Sequence, residues 1–433
     1  MKERIKVGYI GLGRRGMRML TMGIAKMADV EVKTVCDLCE DKMQKAKEAL
    51  TKDGRPEPIT TTDYRDIIND PEIEAVFIMT GWDNRPSIAK EAMLAHKYTA
   101  IEVGCADTLE ECFDLLEVYE KTGTPLMMLE NCCYGRFELM LLNMVKQGLF
   151  GELVHCTGAY AHYLTAVELF RDVGKDDEVK HYRLGHYVSG NRENYPSHEL
   201  GPICKYLGIN RGNRMVSLSS FASKSVGLSH YAKETYGEDS RHAKVEYKQG
   251  DIVNTVITCA GGETILLTLD TTLPRTHYSR NISVRGTKGM AAEETKAVLL
   301  HGMKEPVRDN LAEFYEKYEH PLQVEIQATI ERSGVENKVF FGAHADGIDW
   351  AVLRAFVESV KAGTQTPIDI YDTLTILAIG PLSERSIRNG GAPVEVPDFT
   401  RGKWQNREPA VRSKYCLDEI VTDTSIKVFP HVE

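Results

Sequence analysis

Short apolar runs alternate with amphipathic stretches over the first 147 residues of the chain. The apolar runs predict β-strands at residues 6–11, 30–36, 75–80, 98–103 and 125–130. The stretches between them place apolar residues at helical spacing and predict helices at residues 17–27, 40–50, 86–94 and 109–119. Strands and helices that alternate in this way indicate parallel β-α-β units, and therefore a doubly wound parallel sheet.

The pattern changes from residue 148 onwards. Apolar and polar positions now alternate, as in strands with one covered face, at residues 152–163, 215–223, 251–259, 263–271 and 280–285. The Gly261-Gly262 pair predicts a hairpin between two of these strands. Helices are predicted at residues 347–361 and 371–388, followed by an extended tail over residues 393–409. We therefore predict two α/β domains: residues 1–147 with the parallel sheet, and residues 148–433 with a large, open, mostly antiparallel sheet.

A glycine-rich loop directly follows the first predicted strand. Gly11, Gly13 and Gly16 form a Gly-x-Gly-x-x-Gly motif that opens the first helix, where backbone N–H groups can bind a diphosphate. Asp37 ends the second strand, about 20 residues further on, at the position where an acid binds the adenosine ribose. This context predicts a Rossmann domain that binds NAD, because Asp37 would repel the additional phosphate of NADP. The neighbouring Arg14 and Arg15 leave NADP open as an alternative.

Charge and composition argue against a protein that binds nucleic acid or a membrane. The 433 residues carry a formal net charge of −10 and no run of five basic residues, whereas both partners attract clustered Lys and Arg. No apolar stretch reaches the roughly 18–20 residues that span a bilayer. Cys36 and Cys39 have no second cysteine pair at zinc spacing, so we expect ten reduced cysteines and no metal. The chain begins without a secretion-signal pattern, so we expect a cytoplasmic protein, or a periplasmic one if a leader was removed.

Seven further segments, in order along the chain, carry a resemblance to known proteins: residues 129–134 (Leu-Glu-Asn-Cys-Cys-Tyr), 194–198 (Asn-Tyr-Pro-Ser-His), 201–202, 209–212, 274–280, 381–386 and 396–402. With the glycine loop, they resemble the Gfo/Idh/MocA oxidoreductase superfamily. Within it, they are most similar to glycoside hydrolase family 109, the NAD-dependent α-N-acetylgalactosaminidase-like proteins. The resemblance covers nearly the whole chain. It implies a Rossmann domain, then an open sheet that carries a sugar site and often pairs in a homo-oligomer.

The resemblance also implies which side chains contact the cofactor and the substrate. Besides the glycine loop and Asp37, the NAD contacts would be Arg14, Arg15, Trp82, Asp83, Asn84, Arg85, Glu102, Val103 and Asn131. The contacts with a small-molecule or glycan substrate would be Tyr160, Arg183, Tyr195, Pro196, Ser197, His198 and Tyr278. Ser197 stands where the family usually has Thr, and it keeps the hydroxyl group.

An NAD-dependent glycosidase does not use the usual pair of carboxylates. Oxidation of the sugar at C3 acidifies the C2 proton, its removal expels the C1 substituent, water adds at C1, and C3 is reduced again. His198 and Tyr195 lie three residues apart at the start of a predicted helix, and both can move a proton. We assign His198 to the C3 hydroxyl and either Tyr195 or Tyr160 to the C2 proton.

Two departures from the related proteins leave other functions open. Sugar dehydrogenases of the superfamily usually carry Glu-Lys-Pro where this chain has Glu102-Val103-Gly104, and the missing lysine argues against an ordinary dehydrogenase. Residues 164–180 do not match the α-N-acetylgalactosaminidases, which leaves the sugar undetermined. The main alternative is an NAD-dependent sugar or glycoside 3-dehydrogenase, and a further one is a non-catalytic NAD or sugar sensor.

His344, Asp346 and Asp349 begin a predicted helix and are interpreted as structural or as the edge of the substrate site.

Overall fold

Two sheets organise the computed structural model, which describes residues 2–52, 54–171, 181–333 and 347–422. The first sheet has six parallel strands in the order β3-β2-β1-β4-β5-β6. Its strands are β1 (Ile5–Ile10), β2 (Val30–Cys36), β3 (Ile59–Thr61), β4 (Ala75–Ile78), β5 (Tyr98–Ile101) and β6 (Leu126–Met128). Its helices are α1 (Arg14–Met22), α2 (Glu40–Lys52), α3 (Arg65–Ile68), α4 (Arg85–Leu94) and α5 (Leu109–Thr122). The strand order reverses between β1 and β4, which opens a crevice at the carboxyl ends of the strands.

The second sheet has eight strands in the order β13-β12-β11-β7-β10-β9-β8-β14. Its strands are β7 (Leu153–Ala161), β8 (Met215–Ala222), β9 (Ile252–Cys259), β10 (Thr264–Asp270), β11 (Ser283–Gly286), β12 (Gly289–Ala292), β13 (Ala297–Leu300) and β14 (Val394–Glu395). Every neighbouring pair is antiparallel except β7 with β10. The predicted fold class is therefore confirmed, and so is the hairpin at Gly261-Gly262, which joins β9 to β10.

Nine further helices complete the described part of the chain. They are α6 (Arg136–Lys146), α7 (Tyr182–Ser189), α8 (Ser197–Tyr206), α9 (Gly227–Tyr236), α10 (Ala312–Tyr318), α11 (Pro321–Ser333), α12 (Ile348–Ala362), α13 (Ile370–Leu377) and α14 (Ile379–Arg388). Helix α8 packs against β7 and α14 against β8, which covers one face of the second sheet. Helix α12 returns to the first sheet, where Phe356 meets Phe77 edge to face at 5.1 Å. None of the helices in these described ranges has the length and apolar character needed to cross a bilayer.

Several elements, among them α6, α9, β12 and β13, were not predicted, and three further points of the predicted secondary structure need correction. Residues 371–388 form two helices because Pro381 has no N–H for the carbonyl of Leu377, and that carbonyl instead accepts from the N–H of Ala106 at 3.1 Å. The tail does not merely cover the surface, since Val394 and Glu395 pair with β8 as an edge strand. The short strand β3 was missed because its residues are mostly exposed and carry no buried stripe. The domain boundary at residues 147/148 stays a prediction.

Candidate active site

The glycine loop between β1 and α1 has the geometry that a dinucleotide needs. Gly11 has a φ of 96°, and a Cβ at this position would lie 2.8 Å from the backbone of Met79. A Cβ on Gly16 would collide with the carbonyl oxygen of Gly11, so only glycine allows the helix to approach this closely. A Cβ on Gly13 would meet no described atom within 4 Å. The N-terminus of α1 therefore opens onto free space in which a diphosphate fits.

Asp37 lies beside this loop, at the carboxyl end of β2. Its carboxylate accepts hydrogen bonds from the backbone N–H groups of Leu12, at 2.7 Å, and Cys39, at 3.0 Å. These bonds hold the acid next to the glycine loop, where the adenosine ribose of a bound dinucleotide lies in this fold. The loop and Asp37 together fit NAD.

Arg15 points into the crevice and is held by two carboxylates. Its guanidinium forms a two-pronged bond to Asp349, at 2.8 and 2.9 Å, and its Nε donates to Glu102 at 3.1 Å. Asp349 also accepts from the amide of Asn131 at 2.6 Å. Asp349, in the first turn of α12, therefore binds two residues that we predicted as cofactor contacts, and Arg15 links a third, Glu102, to them. This position agrees with the interpretation of Asp349 as a structural residue or the edge of the site, with Gly347 as the cap of the helix; His344 and Asp346 lie outside the described residues.

The segment after β4 divides into a buried and an exposed part. Arg85 is buried, and its guanidinium donates to the carbonyl oxygens of Thr80, Glu102 and Val103 at 2.6–2.7 Å. It therefore joins the carboxyl ends of β4 and β5. The ring of Trp82 is buried against Tyr195, with ring centroids 6.0 Å apart. The predicted contacts Asp83 and Asn84 are exposed at the N-terminus of α4.

A cavity of about 260 Å³ connects this crevice with the second sheet. Ten predicted site residues line it: Arg14, Arg15, Arg85, Glu102, Val103, Asn131, Tyr160, Arg183, Tyr195 and His198. The wall also contains His162, Glu168 and Tyr182, which the sequence analysis did not select. Glu168 faces His181 at 3.4 Å and Arg14 at 3.8 Å across the cavity mouth. Residues 172–180, part of the segment that departs from the related proteins, lie outside the described residues.

His198 is oriented by a buried carboxylate. Its Nδ1 lies 2.8 Å from Oε1 of Glu130, and the same oxygen accepts from the N–H of Cys132 at 2.9 Å. Burial by itself raises the pKa of Glu130, but the neighbouring His198 and the hydrogen bonds lower it overall, so Glu130 is ionised. The bond to Glu130 places a proton on Nδ1 and leaves Nε2 as the acceptor on the cavity side. Glu130 was not predicted as a site residue. Its position after β6, directly before the predicted cofactor contact Asn131, could have indicated that it lies at the site.

Tyr160, Tyr195 and His198 form one aromatic cluster in the cavity wall. The two tyrosine rings stack at 4.2 Å, and the His198 ring lies 5.1 Å from Tyr195. The guanidinium of Arg183 lies 4.8 Å from the Tyr195 ring. Burial raises the pKa of Tyr160 to about 12, and Arg183 opposes this rise. The hydroxyl of Tyr160 lies 3.3 Å from Nδ1 of His162, a partner with which it can exchange a proton.

Three predicted substrate contacts lie just behind the wall. Pro196 and Ser197 are buried where α8 begins, and Tyr195 precedes that helix rather than lying within its first turn. Tyr278 is half-buried, with its ring 6.3 Å from Tyr160 and 5.1 Å from His162. The structure therefore places the segment 195–198 as one unit, of which Tyr195 and His198 reach the cavity.

Two family models match consecutive parts of the chain. The model described as "Oxidoreductase family, NAD-binding Rossmann fold" matches residues 5–130, and "Glycosyl hydrolase 109, C-terminal domain" matches residues 134–406. Among solved structures, the fold is similar to levoglucosan dehydrogenase in complex with NADH and levoglucosan (TM-score 0.66, 17% identity, 91% of this chain and 100% of that chain). It is also similar to myo-inositol 2-dehydrogenase from Lactobacillus plantarum (TM-score 0.61, 17% identity, 91% and 100%).

Sequence relatives point to hydrolysis. A glycosyl hydrolase family 109 protein of Stenotrophomonas maltophilia is 38% identical over 94% of this chain and 91% of its own length. An α-N-acetylgalactosaminidase of Tannerella forsythia is 34% identical over 94% and 88%, and one of Bacteroides fragilis is 35% identical over 93% of each chain. The predicted NAD-binding domain and the predicted glycoside hydrolase are thereby confirmed. The chain belongs to glycoside hydrolase family 109, built on the Gfo/Idh/MocA oxidoreductase fold.

Proposed function

We propose that this protein hydrolyses α-N-acetylgalactosaminides with NAD that stays bound through the whole cycle. Relatives of that name cover nearly the whole chain. The observation that carries the proposal is the cavity itself. One side of the cavity, with Arg15 and Asn131, adjoins the glycine loop. The other side contains His198, which is paired with the buried Glu130, and Tyr160, whose hydroxyl can exchange a proton with His162.

NAD held by the glycine loop and Asp37 would supply reversible hydride transfer at sugar C3, so that the sugar would carry a C3 ketone between its oxidation and its reduction. In the opening step, Nε2 of His198 takes the proton of the C3 hydroxyl. The carboxylate of Glu130 stabilises the resulting imidazolium from the opposite side of the ring. In the closing step, the same nitrogen returns that proton to the C3 oxygen.

Tyr160 is the better candidate for the C2 proton, which the sequence analysis assigned to Tyr195 or Tyr160. Its hydroxyl has a partner in His162, and the positive charge of Arg183 stabilises its ionised form. Proton removal at C2 next to the ketone expels the C1 substituent, and water then adds at C1. Tyr195 stacks on Tyr160 and contacts Arg183, so its role is to position the base and the sugar.

The dehydrogenase alternative needs a proton-transferring lysine after Glu102, and the structure places Val103 there, in the cavity wall. At the next position, a Cβ on Gly104 would collide with the indole of Trp82. A side chain larger than glycine therefore does not fit at position 104 without moving Trp82. Because the chain lacks this lysine, we favour the hydrolase over the dehydrogenase.

The decisive experiment measures product and solvent isotope together. The purified protein is incubated with an aryl α-N-acetylgalactosaminide in D₂O, and the released sugar is examined by mass spectrometry and NMR. We expect free sugar with deuterium at C2 and no accumulation of NADH. Stoichiometric NADH with a 3-keto sugar would establish the dehydrogenase, and bound NAD without turnover on a panel of aryl glycosides would establish the sensor.

The assembly and location of the protein remain proposals of ours. The outer face of the second sheet exposes Phe221 and Val256, at 58% and 41%, which supports a homo-oligomer that covers this face. Light scattering of the wild type and of Phe221→Asp tests it, since the variant should dissociate.

All ten cysteines belong to the described residues and are free thiols, which supports a reducing compartment such as the cytoplasm; cell fractionation tests that assignment.

A further inference from the structure

Glu199 is a buried acid that the proposed mechanism does not use. It follows His198 in α8 and is completely buried. It faces the second sheet, because a Cβ built on Gly158 of β7 would lie 2.6 Å from the Cβ of Glu199. The helix and the strand are therefore in direct contact at this point, with a carboxyl group between them.

No other described residue gives the carboxyl group of Glu199 a hydrogen bond that would stabilise a negative charge; its own backbone N–H and Arg280 are the groups that oppose the rise of its pKa. Neither of its oxygens accepts a hydrogen bond from another described residue, and no cation of the described ranges lies within ion-pair distance. Arg280, a cation that acts on it, is already bound to Glu138 at 2.9 Å and to Glu293 at 3.3 Å. An ionised carboxylate in such a place costs several kcal/mol, so the group keeps its proton instead.

Glu199 lies beside the proposed base. Gly158 and Tyr160 are two residues apart on β7, so both face α8. A negative charge on Glu199 would raise the pKa of Tyr160, whereas Arg183 lowers it. The charge of Glu199 therefore opposes the ionisation that Tyr160 needs.

We propose that Glu199 is a positioning residue that holds its proton at neutral pH, and that its lack of charge allows the Tyr160 hydroxyl to ionise, so that Tyr160 can take the proton from sugar C2. The first half of this inference stands on burial and missing partners alone; the second half rests on the proposed function. In the catalytic cycle Glu199 exchanges no proton with the substrate. It acts only by remaining neutral while Tyr160 ionises.

Several charged or titratable groups act on Glu199 from the elements around it, and they set how firmly it holds its proton. Burial is the main cause that raises its pKa, and Glu193 raises it further once Glu193 itself is ionised. Glu193 is itself buried, with one oxygen that accepts from the N–H of Tyr195 and a second without a partner among the described residues. The surrounding groups are Glu193 before α8, Glu130 after β6, Arg280 before β11, and the hydroxyls of Tyr160 and Tyr278.

Infrared spectroscopy tests the first half without any assay of activity. A protonated carboxylic acid has a C=O stretching band that is separate from the carboxylate bands and shifts in D₂O. We expect Glu199→Gln, as the NAD-bound protein at neutral pH, to lose one such band relative to the wild type. Glu193→Gln is the matched control, which should retain the Glu199 band. If Glu199→Gln does not fold, Glu199→Met provides the same comparison. An unchanged spectrum in this region would show that Glu199 is ionised and would overturn the proposal.

The pH profile of C2 hydrogen exchange tests the second half. Glutamine cannot ionise, so we expect the ratio of exchange rates at alkaline and neutral pH to be about tenfold higher in Glu199→Gln than in the wild type, the effect of a one-unit change in pKa. Profiles of identical shape would overturn the link to Tyr160, because a merely structural role changes stability but not this ratio. Absence of C2 exchange in both proteins would contradict the proposed function itself, while the infrared result would still decide whether Glu199 is protonated.

Discussion

Replacing Glu130 by glutamine removes one negative charge beside His198 and leaves the shape of the site unchanged. In the wild type, Oε1 of Glu130 accepts from both Nδ1 of His198 and the N–H of Cys132. These two donors will keep the amide oxygen of the new side chain at the same place, and its NH₂ group will occupy the position of Oε2, which has no hydrogen-bond partner among the described residues. The histidine therefore keeps its orientation and its proton on Nδ1. Only the charge is lost.

The magnitude follows from the distance. With 2.8 Å between Nδ1 and Oε1, the two charge centres are about 4 Å apart, and at an effective dielectric constant of about 20 they attract by about 4 kcal/mol. Each factor of ten in rate corresponds to about 1.4 kcal/mol. We therefore expect Glu130→Gln to lower kcat/KM by roughly 10²–10³-fold, because His198 becomes cationic when it takes the C3 proton.

The assay compares kcat/KM on an aryl α-N-acetylgalactosaminide with the NAD content of the same preparation, measured by mass spectrometry. NAD should remain bound, since the glycine loop and Asp37 are not altered. Glu91→Gln, which removes a carboxylate that bonds Tyr64 far from the cavity, is the control and should retain wild-type turnover. A folded, NAD-loaded Glu130→Gln protein within about threefold of the wild-type rate would refute the role of the pair, because that change is far below the expected loss.

Three further predictions address the cofactor, the histidine and a buried acid. Asp37→Ala should weaken NAD binding and reduce the discrimination against NADP, measured by calorimetry on protein stripped of cofactor; equal affinity of the wild type for both would contradict the assignment. His198→Ala should lose about 10²–10⁴ in rate with NAD still bound, and imidazole should restore part of it; near wild-type turnover would disprove the assignment. Burial raises the pKa of Glu193 to about 8 from its ordinary 4.5, so the folded protein holds a proton there that the unfolded chain releases. Stability should therefore fall as pH rises between about 4.5 and 8, with Glu193 contributing up to about 1.4 kcal/mol per pH unit, and Glu193→Gln should reduce the slope by this contribution in denaturant titrations while that of Glu199 remains; parallel slopes would show that Glu193 is ionised when folded.

Local patterns were sufficient for most of the fold. Five of the six strands of the first sheet, all except β3, were predicted within a few residues, because a buried parallel strand is a short apolar run bounded by turns. Helix 371–388 was the exception. Pro381 interrupts it, but whether a proline bends a helix or divides it depends on what satisfies the freed carbonyl. Here the N–H of Ala106, from a distant loop, satisfies it by donating to the carbonyl of Leu377.

The sequence by itself determined the glycine loop and Asp37, because spacing within a short segment is enough to specify a turn or a strand end, and the resemblance to known proteins identified the segment 195–198. Only the tertiary structure decided which groups act on them. Glu130 reaches His198 across 68 residues, and Asp349 reaches Asn131 and Arg15 across 218 and 334 residues. A single sequence contains no periodicity that links such positions, since their contact arises from how the two sheets and α12 pack together. The charge state of Glu199 depends on the same packing. The sequence identifies a glutamate, but only the packed structure shows that it is buried and that no neighbouring residue hydrogen-bonds its carboxyl group.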